Sequence, residues 1–137
     1  MPEGVGYGPQ NTASVGKDIH VIGNHAYAYS GMIQSAASEV SHLSFSSGNY
    51  YLVGRIDCYA PTKVSSPNDG NSALFTLSFN GVEVSVLKTE TEVEDMPSVT
   101  SGSILIPPFT EVTVTVYSGT ATTGFKTSCN ITGRLYK

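Results

Sequence analysis

The pair Asn80-Gly81 most constrains the fold of this chain, because it lies between two runs of alternating apolar and polar residues. An Asn-Gly pair in this setting is the strongest short-range signal for a β-hairpin with a two-residue type I′ turn, in which both turn residues have positive φ. We therefore predict a hairpin over residues 72 to 88.

The expected register of this hairpin places its large apolar side chains on one face. Counting from the turn gives three apolar pairs: Phe79 with Val82, Leu77 with Val84, and Phe75 with Val86. An isolated hairpin is only marginally stable in water, so a second sheet must cover this apolar face.

Length and composition indicate one all-β domain. A chain of 137 residues is long enough to bury a hydrophobic core without metals or cross-links. Charged residues make up only 13% of the chain, and many of the apolar residues are the Val, Ile, Tyr and Phe that suit strands. The net charge is −4 with 7 Lys and Arg and no basic cluster, so we expect no nucleic-acid partner.

The sequence shows no targeting or membrane signal. Residues 1 to 18 lack the basic start and apolar run of a signal peptide, and no later apolar stretch approaches bilayer length. We expect a protein made in a cytoplasm with no membrane partner. Cys58 and Cys129 lie on the apolar parity of their segments, and reduced, buried thiols are favoured over a disulfide between them.

Turns and polar loops divide the chain into eight predicted strands. They cover residues 19–30, with a bulge or bend at Gly23-Asn24, and residues 39–46, 50–59, 72–79, 82–88, 103–106, 111–118 and 125–136. Residues 31–40 have room for one short helical turn. In the second strand, alternation places Leu43 and Phe45 inward and His42 outward. Two architectures fit, a jelly roll or another eight-stranded antiparallel two-sheet sandwich, and we favour the jelly roll.

Residues 1–18 are rich in glycine and proline and poor in large apolar groups, so we predict an extended or flexible N-terminal arm before a sandwich domain over residues 19–137. Such an arm becomes ordered when it lies along a partner. An ordinary frayed terminus explains the same composition equally well.

The polar residues give no catalytic or metal-binding pattern, so we expect no enzyme and no cofactor. No zinc-ligand spacing, catalytic triad or Gly-x-Ser-x-Gly motif accompanies the three histidines, His20, His25 and His42. The acidic run contains Glu90, Glu92, Glu94 and Asp95. It lacks the spacing of a calcium loop, and we favour a solvated loop that protects a sheet edge.

Tyrosines are the most suggestive candidates for binding. Tyr51 and Tyr59 lie on the outward parity of their strand, and Tyr27 and Tyr29 share a parity in another strand. Outward tyrosines can contact sugars or a protein partner at low entropic cost. Tyrosines that only shelter the rim of a sheet give the same pattern.

Three segments together resemble a known group of proteins: YAYSG at residues 27–31, ILIPPFTEV at 104–112, and ITGRLY at 131–136. The chain is similar through them to the small jelly-roll proteins in virions of tailed bacteriophages, a group that includes capsid decoration (cement) proteins. The likeness spans residues 27 to 136.

This resemblance implies a non-enzymatic protein that binds the major capsid protein on the outside of the assembled head, often as a homotrimer, and stabilises the lattice. The arm residues would then contact the lattice: Gly4, Val5, Gly6, Tyr7, Gly8 and Pro9. The main alternative is a receptor- or glycan-binding module of a phage fibre or tail that uses Tyr51 and Tyr59. A tail or head-to-tail structural component is a third possibility.

Overall fold

A computed structural model describes residues 19–34, 39–60, 72–90, 98–117 and 126–137, and these ranges contain strands, turns and no helix. The ten strands are β1 (His20–Ile22), β2 (His25–Tyr29), β3 (Ile33–Gln34), β4 (Val40–Ser46), β5 (Tyr51–Ala60), β6 (Ser72–Phe79), β7 (Val82–Glu90), β8 (Ser98–Ile106), β9 (Glu111–Tyr117) and β10 (Lys126–Tyr136). The predicted all-β class is confirmed.

The strands form two antiparallel sheets. Sheet 1 has the order β1-β2-β10-β5-β8, with β3 also paired to β10, and sheet 2 has the order β4-β9-β6-β7. The pairs are nested around the β6–β7 hairpin: β5 pairs with β8, β4 with β9, and β2 with β10. Strands distant in sequence therefore lie side by side in both sheets.

The core lies between the sheets. Its largest fully buried apolar side chains come from both, namely Leu43, Phe75, Val112, Val114 and Val116 of sheet 2 and Leu52, Ile106 and Ile131 of sheet 1. Burial of each such side chain stabilises the fold by roughly 1.5–3 kcal/mol. The predicted inward faces of β5 and β10 are confirmed, since Ile56, Cys58 and Cys129 are also buried.

The central hairpin has the predicted turn but not the predicted register. Asn80 and Gly81 have φ of 53° and 83°, and Phe79 pairs with Val82. The register then shifts between Leu77 and Ser78. The strand pairs beyond this shift are Leu77 with Ser85, Thr76 with Val86, and Phe75 with Leu87.

The predicted pairs of Leu77 with Val84 and Phe75 with Val86 are therefore wrong. One extra residue in β7 reverses the face of every side chain that follows it. Val84 and Val86 are consequently 50% and 55% exposed, and Leu87 packs against the core in their place.

The predicted outward position of His42 is also wrong, and the cause is again an irregularity in sheet 2. The β4–β9 register shifts between Ser41 and Leu43, so both His42 and Leu43 are fully buried. The His42 ring lies edge-on to Phe75, with ring centroids 6.2 Å apart. Its Nε2 lies 2.8 Å from Oγ1 of Thr127, so this contact joins β4 of sheet 2 to β10 of sheet 1.

The described residues contain ten strands rather than the predicted eight. The predicted first strand is divided at Gly23-Asn24, where Gly23 has φ of 61° and the chain reverses to form a short β1–β2 hairpin. Residues 33–34, inside the stretch where a helical turn was allowed, form β3 instead. Strand β8 also begins at Ser98, five residues before the predicted start at 103.

Candidate functional site

The outer face of sheet 1 carries an open groove of about 680 Å³ across strands β2, β10, β5 and β8. Side chains that line it include His25, Tyr27, Arg55, Ser103, Thr132 and Arg134. The strand register explains why they meet. Tyr27, Thr132, Arg55 and Ser103 follow one another in a single cross-strand row, and His25 and Arg134 are neighbours in the next row.

Two paired glycines, Gly54 of β5 and Gly133 of β10, also line this groove. A Cβ atom on Gly54 would lie 1.9 Å from the carbonyl oxygen of Thr132, and one on Gly133 would lie 2.6 Å from the carbonyl oxygen of Val53. The two backbones therefore approach so closely that any side chain would collide with main-chain atoms. Glycine at both positions is required for the strand geometry beneath the groove.

The charge of this face is opposite to that of the whole chain. Asp57 is the only acidic residue on the strands of sheet 1, whereas these strands carry three Lys and Arg residues, Arg55, Lys126 and Arg134. The complete chain has a net charge of −4. Sheet 1 therefore presents a locally positive surface on an acidic protein.

Arg55 and Asp57 form the only ion pair on this face within the described ranges. Nη2 and Nε of Arg55 donate to Oδ1 of Asp57 at 2.7 and 3.1 Å, and Ser101 Oγ donates to the same oxygen at 2.6 Å. Burial alone would raise the Asp57 pKa, but the hydrogen bonds from Ser101 and Arg55 and the Arg55 charge lower it below its ordinary value of 3.8. Asp57 therefore stays ionised and holds Arg55 in place.

Arg134 differs from Arg55. Its side chain is exposed, and among the described residues this side chain makes no ion pair or hydrogen bond. Its guanidinium group can thus donate to a ligand in the groove. No single segment reveals the site, because its side chains come from four strands that are far apart in sequence.

The two tyrosines proposed for a glycan or partner face, Tyr51 and Tyr59, both lie on the outer face of β5. Tyr51 is 44% exposed and pairs with Tyr136, and Tyr59 is half-buried and pairs with Ser128. Eight residues of strand separate them by about 26 Å, so they do not contact one small ligand together. The groove lies between them.

A second candidate surface lies where three turns meet at one end of the sandwich, and we refer to residues 47–48, 80–81 and 107–110 as the turn cluster. Ser47 Oγ donates to the Pro107 carbonyl at 2.7 Å, and the Ser47 amide donates to the Thr110 carbonyl at 3.0 Å. Asn80 and Glu111 exchange two hydrogen bonds of 2.8 Å through the Asn80 amide and side-chain oxygen.

Phe109 projects from this turn cluster. It has φ of 57°, a strained value for a bulky residue, and its side chain is 75% exposed. Its amide donates to the Gly48 carbonyl, which holds the turn in this conformation. The sequence predicted a connection between the strands at 103–106 and 111–118, but not the exposure of Phe109, which depends on the neighbouring turns.

The remaining predicted residues do not form a catalytic or metal centre in the described ranges. His20 is buried and stacks on Tyr27 with ring centroids 5.1 Å apart, His25 is exposed, and His42 is in the core. No group of three His, Cys, Asp or Glu that could hold a metal occurs in the part of the chain that the structure describes. Residues Gly4 to Pro9 of the predicted arm, and Glu92, Glu94 and Asp95, lie outside that part.

Cys58 and Cys129 face each other directly across β5 and β10, both buried and unbridged. Backbone groups of Cys129 bond to Ser30 on the other side of β10, with the amide donating to Ser30 Oγ at 2.9 Å and the carbonyl accepting from the Ser30 amide at 3.0 Å. The hydrogen bond with Cys58, together with burial, raises the pKa of Cys129 well above its ordinary value. The Cys129 thiol is therefore protonated and unreactive in the folded state.

Comparison with known proteins adds no relative: no protein-family model matches the chain, and no curated protein is significantly similar to it. Within the described ranges, no helix has the length and apolar character needed to cross a membrane.

Proposed function

We propose that this protein is a non-enzymatic structural component of a tailed-phage virion, which binds the outside of the assembled capsid lattice and stabilises it. Its partner is the major capsid protein, and the resemblance adds docking as a homotrimer. The protein binds the assembled lattice and not the dissociated capsid subunits. Its binding therefore shifts the assembly equilibrium towards the assembled lattice.

We also propose that the sandwich is a jelly roll. The nested strand pairs support this, because they wind outward from the β6–β7 hairpin with the strands divided between two sheets. The three segments on which the resemblance rests fall in or beside β2, at the β8–β9 connection and in β10, all within the described ranges.

The observation that carries the proposal is the exposed Phe109 on the turn cluster. Hydrogen bonds hold this turn in a strained conformation, so little conformational entropy remains to be lost when a partner buries the ring. Val82, which follows Gly81 at the same end, is 65% exposed and adds apolar surface. Rigid aromatic anchors of this kind often dominate the free energy of a protein interface.

The proposal is tested by co-sedimentation with expanded phage capsids that lack this protein. We expect Phe109→Ser to weaken capsid binding at least about tenfold, as expected for loss of a hot-spot aromatic. Val99→Ser is the matched control, since Val99 is also exposed but lies at the other end of β8. If the wild type binds capsids and neither Phe109→Ser nor deletion of residues 2–16 reduces that binding, this mode of docking is contradicted. If the wild type does not bind capsids, the proposed function is overturned.

A further inference from the structure

We infer that the groove on the outer face of sheet 1 binds an anionic saccharide, with Arg134 as the main contact for its acidic group. This site is separate from the turn cluster and does not depend on capsid binding. Charge, groove architecture and the chemistry of the lining side chains support it independently.

The charges of the groove favour an anionic ligand. Arg55 and Arg134 both line it, and of these two arginines only Arg55 is paired with Asp57. Arg134 therefore supplies a planar guanidinium group with no partner among the described residues, and such a group binds a carboxylate or sulfate through two parallel hydrogen bonds. A locally positive groove on an acidic protein also attracts an anion selectively to this face.

The strand arrangement disfavours a peptide or a nucleic acid. The middle strands, β10 and β5, are paired on both sides, so an extended peptide finds no free main-chain groups beneath it for strand addition. Two arginines, one of them already paired with Asp57, are too few for the many phosphate contacts of a nucleic-acid backbone.

The lining side chains suit a sugar chain. Hydroxyl groups of Thr132 and Ser103 lie in the same cross-strand row as Tyr27 and Arg55. This row crosses three strand spacings, or about 14 Å, so it offers a line of polar contacts rather than a pocket for one small ion. The groove is open to solvent along this row, so it can accept an extended saccharide.

The saccharide site is tested with a panel of immobilised oligosaccharides that carry uronate, sialate or sulfate groups, together with neutral oligosaccharides of similar length. We expect the wild type to bind one or more of the acidic members and none of the neutral members. The best acidic member is then used in solution titrations at low and high salt, where added salt should weaken binding.

Three substitutions locate the binding. Arg134→Ser should weaken it at least about tenfold, and Asp57→Asn, which removes the negative charge beside Arg55, should strengthen it roughly threefold. Lys88→Gln is the matched control, because it removes one positive charge from sheet 2 and should change nothing. All variants are compared with the wild type by thermal melting to confirm folding.

The inference is overturned if no acidic oligosaccharide binds at millimolar concentration, or if Arg134→Ser binds as the wild type does. Tighter binding of an acidic peptide or a single-stranded oligonucleotide than of any saccharide would also overturn it. Phe109→Ser should bind the saccharide normally, so failure of capsid docking and failure of this site are distinguishable.

Discussion

The two sheets differ in the regularity of their strand registers. In sheet 1, β10 pairs with β5 over nine consecutive residue pairs without a shift, and β5 pairs with β8 over another nine. In sheet 2, the register shifts between Ser41 and Leu43 and again between Leu77 and Ser78. Strict alternation of inward and outward side chains therefore holds along the central strands of sheet 1 and fails at two points in sheet 2.

This difference reflects two ways to adjust the backbone of a sheet. Sheet 1 uses residues without side chains, Gly54 and Gly133, where two strands approach closely. Sheet 2 uses extra residues, which bend a strand and redirect the side chains beside it. The first device leaves the register intact, and the second moves His42 inward and Val86 outward.

Replacing a glycine of the Gly54–Gly133 pair in sheet 1 should lower the free energy of unfolding the most. A Cβ atom on Gly54 would lie 1.9 Å from the Thr132 carbonyl oxygen and 2.5 Å from the Gly133 Cα, and neither backbone atom can yield cheaply. We expect Gly54→Ala to lower the free energy of unfolding by about 3 kcal/mol or more. Urea denaturation measures this change.

Gly102→Ala is the control for this experiment, since Gly102 lies on the neighbouring strand β8. A Cβ there would lie 3.6 Å from Leu87 Cδ2, an ordinary contact distance. The substitution should change the unfolding free energy by less than about 0.5 kcal/mol. Equal stability of the two variants would contradict the close approach of β5 and β10.

Removing the His42 side chain should have the next largest effect. His42→Ala leaves a cavity between the sheets and breaks the contact of Nε2 with Thr127 Oγ1, so we expect a loss of about 2–4 kcal/mol. The exposed neighbour Ser44 provides the control, and Ser44→Ala should be nearly neutral.

A double-mutant cycle isolates the contact between the sheets. Combined with Thr127→Val, the His42 substitution should show a coupling energy of about 1 kcal/mol. If His42→Ala lowers the free energy of unfolding by less than about 0.5 kcal/mol, the buried position of His42 is contradicted and the outward position that simple alternation predicts is favoured.

The difference between the two sheets explains which parts of the fold the sequence could predict. The Asn80-Gly81 turn and the inward faces of β5 and β10 were predictable, because turn chemistry and alternation act locally. The two shifts were not, because an extra residue leaves no mark on an otherwise alternating pattern. For example, Val82, Val84 and Val86 alternate regularly in the sequence, yet all three are exposed.

The candidate site was predictable only in part. The outward positions of Tyr51 and Tyr59 followed from the alternation of β5, which has a regular register. The groove joins His25, Arg55 and Arg134 from three separate strands, and its location depends on which strands are neighbours. Local sequence patterns do not specify that order, so the positive charge of this face was not visible in the overall composition.

Substitutions at two adjacent residues of β7 test the register shift in the central hairpin. Their expected effect on the free energy of unfolding is the smallest. Val86 is 55% exposed and pairs with Thr76, whereas Leu87 pairs with the fully buried Phe75 and packs against the core. We expect Val86→Ser to change the unfolding free energy by less than about 0.5 kcal/mol, and Leu87→Ser to lower it by roughly 1.5–3 kcal/mol.

An unshifted hairpin predicts the reverse order, because it places Val86 opposite Phe75 and turns residue 87 outward. The comparison is therefore sensitive to a displacement of one residue, and paired urea titrations at one temperature measure it. If Val86→Ser proved the more damaging change, β7 would have no extra residue, and sheet 2 would alternate as regularly there as sheet 1 does.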